Sequence, residues 1–437
     1  MLDSSIVNVD SINMDESGYG DLMADRDTAQ DAGGQRLSTR EAAERLGVKP
    51  ETVYAYVSRG QLTSRREPGA RGSTFDAKEV DTLARRTGRR EPSTPGGELA
   101  VRTGITLIDR DHCYYRGVDT SDLAAHYSFE EVAEWLWTGE LRPGTRFTAS
   151  QDALSAAHHA VQSLPAHSGP MDRLRVALIA AAAADPLRFD LSEDTVVGTA
   201  RTLIPTLVDA LPSHAPKQRA ADSLATRLWS RLTSQPADAA ALRALDAAMV
   251  LLIDHDLAAS TFAVRVAASA RAHPYAIVSA GFGALDGVLH GAASGLAHRM
   301  LTEVLDRGSA AAVVADHLRA GHQVPGLGHP LYPGEDPRAR ALFRLLEEVP
   351  QARPALHAAH QVITTTARHT ELHANIDLAL AVLTVSTDMP AEAGETIFAI
   401  ARTAGWIAHA LEEYAEPALR MRPRGQYSGP RAPQPLP

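Results

Sequence analysis

Residues 324–338 read VPGLGHPLYPGEDPR: Val324-Pro325-Gly326-Leu327-Gly328-His329-Pro330, then Asp336-Pro337-Arg338. The stretch reads as a glycine loop that ends in an imidazole and is followed by an acid and a base. Four other places set polar residues in similarly apolar or glycine-rich surroundings. Leu289-His290-Gly291-Ala292-Ala293 puts an imidazole between an apolar run and a helix start, and Asn375-Ile376-Asp377 precedes apolar residues 378–383. Arg402-Thr403-Ala404-Gly405-Trp406 interrupts an otherwise apolar helix, and Arg422-Pro423-Arg424 lies near the C-terminus. Singly, each has a bland explanation: His290 and His329 as satisfied core histidines, Asp377 as a helix cap, Arg402 as a paired structural arginine. Their joint occurrence argues for a site.

Around these segments the chain is rich in Ala and Leu. Helical periodicity recurs at 129–138, 153–164, 172–184, 220–230 and 237–254, so a mainly α body is expected. A hairpin should open it, because 106–109 and 113–117 flank a polar turn. With 437 residues, 44% hydrophobic and 22% charged, the chain can build a large core without staples. The single cysteine, Cys113, excludes an internal disulfide framework and a Cys-based zinc module. The longest apolar run, 176–184, stops at Asp185, short of a bilayer span, and a cytoplasmic protein is expected. Gly281, Gly283 and Gly287 have the wrong spacing for a dinucleotide fingerprint, and no phosphate loop is present. His158, His159, His357 and His360 lack accompanying ligands, so no metal site is expected.

Charge is distributed unevenly within a net −10. Residues 1–35 carry eight acids against one arginine, whereas 36–90 carry thirteen bases against seven acids. The acidic tail has too few large apolar side chains to offset its chain entropy and is expected to be disordered. The basic island is patterned. Ser38 followed three residues later by Glu41 reads as a capping box, a second helix follows the break at Gly47, and 62–75 read as a small β-wing before a third helix at Lys78. Residues 36–86 resemble the winged helix-turn-helix of MerR-like and excisionase-like DNA-binding domains. Arg40, Lys49, Tyr54, Tyr56, Arg59, Arg65, Arg66 and Arg71 are the expected DNA contacts, since DNA binding needs cations for phosphates and a helix for the major groove. A Pro/Gly-rich linker over 87–98 separates this domain from the body at 99–437.

From Leu99 to Pro430 the chain resembles the citrate synthases, including the 2-methylcitrate synthases. The matching residues occur in the family's order: Tyr115-Arg116-Gly117-Val118-Asp119, Asp254-His255-Asp256, Ala259-Ser260-Thr261-Phe262, His290, His329-Pro330, Asp336-Pro337-Arg338, Asp377, Arg402 to Trp406 and Arg422-Pro423-Arg424. Three positions depart from it. Leu252 stands where the family often has His, Asp256 where it often has Glu, and Ser294, a residue able to cap a helix, where it often has Asn. The resemblance implies large and small helical domains, the small one inserted at roughly residues 265–375, and a homodimer.

It also implies a chemistry. A carboxylate of ordinary pKa about 3.9 removes a thioester's α-proton only if it is desolvated and the enolate oxygen is stabilised. By resemblance Asp377 is that base, His290 donates to the thioester oxygen, and His329 polarises the ketone of oxaloacetate. Arg338, Arg402 and Arg422, with His255, fall to the oxaloacetate carboxylates, which a planar guanidinium binds bidentately. Val324, Pro325, Gly326, Leu327 and Gly328 are expected to pass close to CoA. Acetyl-CoA or propionyl-CoA would be a co-substrate, with no tightly bound cofactor and no metal. Two functions follow: an acyl-CoA:oxaloacetate condensing enzyme with a DNA-binding or regulatory N-terminal domain, or a transcription regulator using the synthase-like body as a metabolite sensor. Presence of Asp377, which binding alone does not need, favours the enzyme.

Overall fold

The computed structural model describes residues 36–46, 48–58, 61–65, 73–86, 101–214, 222–287, 291–423, 428–431 and 433–434. The expectations placed on the 1–35 tail, Gly47 and the 87–98 linker lie outside the described residues. The chain divides into two units, Met1–Ala100 and Val101–Pro437.

The first unit runs β1 (Arg36–Ser38), α1 (Thr39–Leu46), α2 (Pro50–Ser58), β2 (Ser64–Arg65), β3 (Thr74–Asp76) and α3 (Ala77–Arg86). The predicted capping box forms: Ser38 N donates to Glu41 Oε2 at 2.7 Å and Glu41 N to Ser38 Oγ at 3.3 Å, which seats α1 directly on the end of β1. β3 is central and antiparallel to both β1 and β2, with Leu37 opposite Phe75 and Arg65 opposite Thr74. Leu37, Leu46, Val53, Phe75 and Val80 close a small core of its own. Arg45 joins α1 to α3 through a two-point pair with Asp81 at 2.7 and 3.1 Å.

The second unit opens with a meander, β4 (Thr106–Asp109), β5 (His112–Tyr115) and β6 (Val118–Asp119). Helices follow: α4 (Thr120–His126), α5 (Phe129–Thr138), α6 (Gln151–Gln162), α7 (Pro170–Ala184), α8 (Glu193–Ala210), α9 (Leu224–Leu232), α10 (Ala239–Leu252), α11 (Ala259–Ser269), α12 (Pro274–Leu285), α13 (Ala293–Arg307), α14 (Ala310–Arg319), α15 (Pro337–Glu347), α16 (Arg353–Thr366), α17 (Ile376–Ser386) and α18 (Ala393–Tyr414). The unit is therefore mainly α, as its composition predicts. Local signals set the ends: Ser128 and Glu131 form a capping box at α5, and Gly139 closes it in the left-handed region.

Helices α10, α17 and α18 are apolar nearly all round and occupy the interior. Trp406 on α18 is fully buried, and Gly281 is what lets α12 cross it, since a Cβ there would lie 2.8 Å from the indole ring. That glycine belongs to helix packing, not to a nucleotide loop. Among the described residues no helix is long and apolar enough to cross a membrane.

Candidate active site

Four chain segments bring the predicted body residues together. The first is the end of α10, where Asp254 and His255 are buried. Tyr115 braces this turn from β5: its hydroxyl donates toward the Asp254 carbonyl at 2.9 Å and accepts from the Asp254 amide at 3.1 Å. Asp256 then takes φ +56°, a left-handed conformation in which Asp is among the favoured non-glycine residues. Leu252, another departure from the family pattern, contributes its carbonyl, which accepts from Arg402 Nε at 2.9 Å.

The second segment is the glycine loop. Gly326 and Gly328 adopt φ +79° and +82°, and Leu327 bridges to Ala374. A Cβ on Gly326 would meet Leu378 Cβ at 2.7 Å. Packing against α17 therefore demands this glycine, where the sequence alone suggests room for CoA. Asn375 pins the loop to α17, donating from Nδ2 to the Gly328 carbonyl at 2.8 Å. The same side chain caps α17, its Oδ1 accepting from the Asp377 amide at 3.0 Å. Asp377 is therefore not a cap, and its carboxylate is released for other work.

Third comes the start of α15. Asp336 caps it and binds Arg338 twice, Oδ1 to Nε at 3.0 Å and Oδ2 to Nη2 at 2.8 Å. Asp336 Oδ2 also accepts from the Ile376 amide at 3.1 Å, tying α15 to α17. Two of the donors of Arg338 are thus already used; its remaining donors are what it can offer an anion. Fourth is the middle of α18. Arg402 is buried, its guanidinium lies 4.4 Å from the Phe398 ring centroid, and its Nη1 is buried without a hydrogen-bond partner. It has no ion-pair partner among the described residues, so the paired-arginine reading fails.

These charges order the titrations. His255 is held well below the usual imidazole range, first by burial and then by Arg338, His329 and Arg402. His329 is lowered to about 4 by burial and by Arg338. The Leu331 amide donates to His329 Nδ1 at 3.1 Å, so the neutral ring carries its proton on Nε2 and presents that N–H. Asp377 is raised to about 6, chiefly by burial, with Asp336 adding to the rise and Arg338 opposing it. A carboxylate titrating near pH 6, a neutral imidazole with a free N–H and two buried guanidiniums are the kinds of group that a base, an electrophile and an anion seat require.

Behind the site runs a polar line that sequence reasoning misses. Thr106 Oγ1 donates to Asp254 Oδ2, and His409 Nε2 lies 3.2 Å from Asp254 Oδ1. Arg265 donates to His409 Nδ1 at 3.1 Å and to Glu413 at 3.1 Å. Because a guanidinium cannot accept, Nδ1 must, which leaves the His409 proton on Nε2, near Asp254 Oδ1 but without hydrogen-bond geometry to it. Burial opposes ionisation of Asp254, but His409, Arg402 and Thr106 hold its carboxyl below the ordinary value. The available signal is spacing: Arg402, His409 and Glu413 recur at seven and four residues on one face of an apolar helix.

Not every expected residue joins this cluster. His290 lies outside the described residues, although Gly291 beside it is buried. Arg422 is exposed, beyond the Arg420–Glu413 pair, and joins none of the other site residues among those described. Ser294 is no cap: α13 begins at Ala293, and the Ser294 side chain packs where a Cβ on Gly394 would fall. In the N-terminal unit, Arg40, Lys49, Tyr54 and Arg65 are exposed, whereas Arg59, Arg66 and Arg71 lie outside the described residues. Tyr56 is corrected: it is 8% exposed and belongs to the unit's core, three residues after buried Val53 on α2, so it cannot face DNA.

Comparison with known proteins gives two domain matches. Residues 96–424 match the family model "Citrate synthase, C-terminal domain", and residues 36–87 match "Helix-turn-helix domain". A citrate synthase of Haloferax volcanii is 31% identical over 359 residues, 76% of this chain and 94% of that protein. The 2-methylcitrate synthase 2 of Corynebacterium glutamicum is 27% identical, covering 76% of this chain and 93% of its own length. Among solved structures, citrate synthase from Thermotoga maritima superposes with TM-score 0.63 at 27% identity, over 78% of this chain and 96% of that one.

Proposed function

Because the chain belongs to the citrate synthase family and is a citrate synthase-type acyltransferase, we propose that it condenses acetyl-CoA or propionyl-CoA with oxaloacetate, giving citrate or 2-methylcitrate and CoA. The observation that carries this reading is Asp377, a carboxylate raised to about 6 beside an anion seat. Metabolite binding alone has no use for such a base.

In the proposed sequence, oxaloacetate places its carboxylates on Arg338 and Arg402, with His255 beside them and Arg422 reaching in from a second copy of the chain. Asp377 takes a proton from the carbon next to the thioester carbonyl, and His290 hydrogen-bonds the enolate oxygen that results. The enolate carbon attacks the ketone while His329 Nε2–H stabilises the oxygen becoming the new hydroxyl and passes it a proton. Water then cleaves the thioester, releasing CoA. Residues 324–328 would lie along the CoA. One methylene of acyl chain is worth only about 1–3 kcal/mol of discrimination, so both acyl-CoAs stand as candidates.

For the N-terminal unit we propose DNA binding through Arg40, Lys49, Tyr54 and Arg65, in a homodimeric cytoplasmic protein. Its helix-turn-helix match and its excess of bases support this. The test of the catalytic assignment is to compare Asp377→Ala and His290→Ala with the wild type. Both variants should keep oxaloacetate binding by calorimetry and lose CoA release. Near-normal turnover in both would overturn the roles of Asp377 as base and His290 as donor.

A further inference from the structure

We propose that Tyr332 is a positioning residue of the oxaloacetate site, its hydroxyl donating to His255 Nε2 and fixing that imidazole as the Nδ1–H tautomer. The inference rests on the reading of His255 as an oxaloacetate ligand and adds a residue to it.

Tyr332 sits between His329 and Asp336 and is 4% exposed. Its Oη is 2.8 Å from His255 Nε2. Its ring centroid lies 5.4 Å from that of His255 and 5.0 Å from that of His329, and the Arg338 guanidinium carbon is 5.8 Å from it. The phenol thus stands in the middle of the three groups assigned to the 2-oxo acid.

Direction of the bond follows from the neighbours. Were the phenol to accept from His255, its own O–H would need another acceptor. Arg338 offers none, and the Cys113 thiol, also within hydrogen-bond reach, is a weak one. The imidazole nitrogen is the strongest acceptor present. Both partners are in the required state, since burial raises the phenol's pKa and keeps it protonated, while burial and the surrounding cations keep His255 neutral. The groups facing His255 are Arg338 from α15, Arg402 from α18 and His329 from the glycine loop, and none of these supplies it with a negative charge. The backbone of His255 is held through Asp254 and Tyr115. Tyr332 supplies the second restraint, on the ring.

Tyr332→Phe removes this hydroxyl and keeps the ring, its stacking and its place under Arg338. Losing one neutral hydrogen bond should raise the oxaloacetate dissociation constant, read by calorimetry, about 2- to 10-fold, with the KM for acyl-CoA unchanged and the melting temperature lowered by no more than about 3 °C. Because the lost bond favoured neutral His255, that imidazole should take up its proton at a higher pH in Tyr332→Phe, read from its nitrogen-15 shifts. Nitrogen-15 spectra of histidine-labelled full-length protein, with His255→Gln for assignment, should show His255 as the Nδ1–H tautomer in the wild type and a mixture in Tyr332→Phe. An Nε2–H tautomer in the wild type, or a spectrum and oxaloacetate affinity that Tyr332→Phe leaves alone, would overturn the proposal. So would tighter oxaloacetate binding, which would make the hydroxyl a placeholder that substrate displaces. A wild type showing the expected tautomer but binding no oxaloacetate would instead refute the substrate reading and leave the Tyr332 bond standing.

Discussion

Replacing Asp377 by Asn should make the protein more stable as it destroys catalysis, and the gain should depend on pH. The reason is the position of the carboxylate. Burial, with Asp336 nearby, raises it from an ordinary 3.8 to about 6. Above pH 6 the group is ionised in both folded and unfolded chains, and keeping it so in the folded one costs on the order of 3 kcal/mol. Between about 6 and 3.8 the folded chain takes up the proton first, so the cost shrinks, to roughly 1.6 kcal/mol at pH 5, and below 3.8 it vanishes. Asn has the same shape and no charge. Thermal unfolding of Asp377→Asn should therefore exceed the wild type by about 6 °C at pH 8, taking about 2 °C per kcal/mol for a large body, and by half that at pH 5. Equal melting temperatures at pH 8, or a gap that does not change with pH, would refute the account of why this carboxylate can act as a base.

Three further outcomes are expected. Gly405→Ala drives a Cβ into the Ile253 carbonyl oxygen and to 3.1 Å from Asp254 Cβ. The clash is with backbone, which cannot swing aside, so its cost lies at or above the upper end of the about 1–3 kcal/mol of overpacking, beyond the about 1 kcal/mol that better helix propensity returns, and melting should fall by several degrees. Turnover should fall on the order of 100-fold, because the His255 turn is displaced; steady-state kinetics beside calorimetry checks both. Deleting residues 1–95 should leave CoA release intact and abolish salt-dependent DNA retention in a mobility-shift assay, and Arg40→Ala with Arg65→Ala should flatten the salt slope by about 2. Co-expressing Asp377→Ala and Arg422→Ala chains should restore activity that neither parent has, because in a mixed dimer one site then draws Asp377 and Arg422 from two intact sources. A mixed dimer as inactive as its parents would show that Arg422 does not act across an interface.

Much of this arrangement is legible in the sequence because its signals are local. The capping box at Ser38 and Glu41 and the hairpin read at 106–109 and 113–117 are each written within a few residues; the box forms, and the hairpin appears as β4 and β5. What is illegible depends on partners far along the chain. β1 is three residues long and exists because it pairs with β3, 38 residues on at Leu37 and Phe75. Tyr56 reads as a DNA contact by residue type, but the face it occupies is fixed by how α2 packs on its neighbours. The Asn375 side chain rather than that of Asp377 caps α17, a choice of one residue over another two positions away that composition cannot make. The Thr106–Asp254–His409–Arg265 line joins residues more than a hundred positions apart. Tyr332 reads as filler between two polar motifs, and only the place of its hydroxyl against His255 gives it a role.

The most direct test of the catalytic account is CoA release by the purified full-length protein given oxaloacetate and, in turn, acetyl-CoA and propionyl-CoA, across pH 5 to 8. The expected result is turnover that needs both substrates and falls toward tenfold per pH unit below about 6, where Asp377 takes up a proton. Oxaloacetate binding with no CoA release from either thioester at any pH would contradict it and leave the body a metabolite sensor.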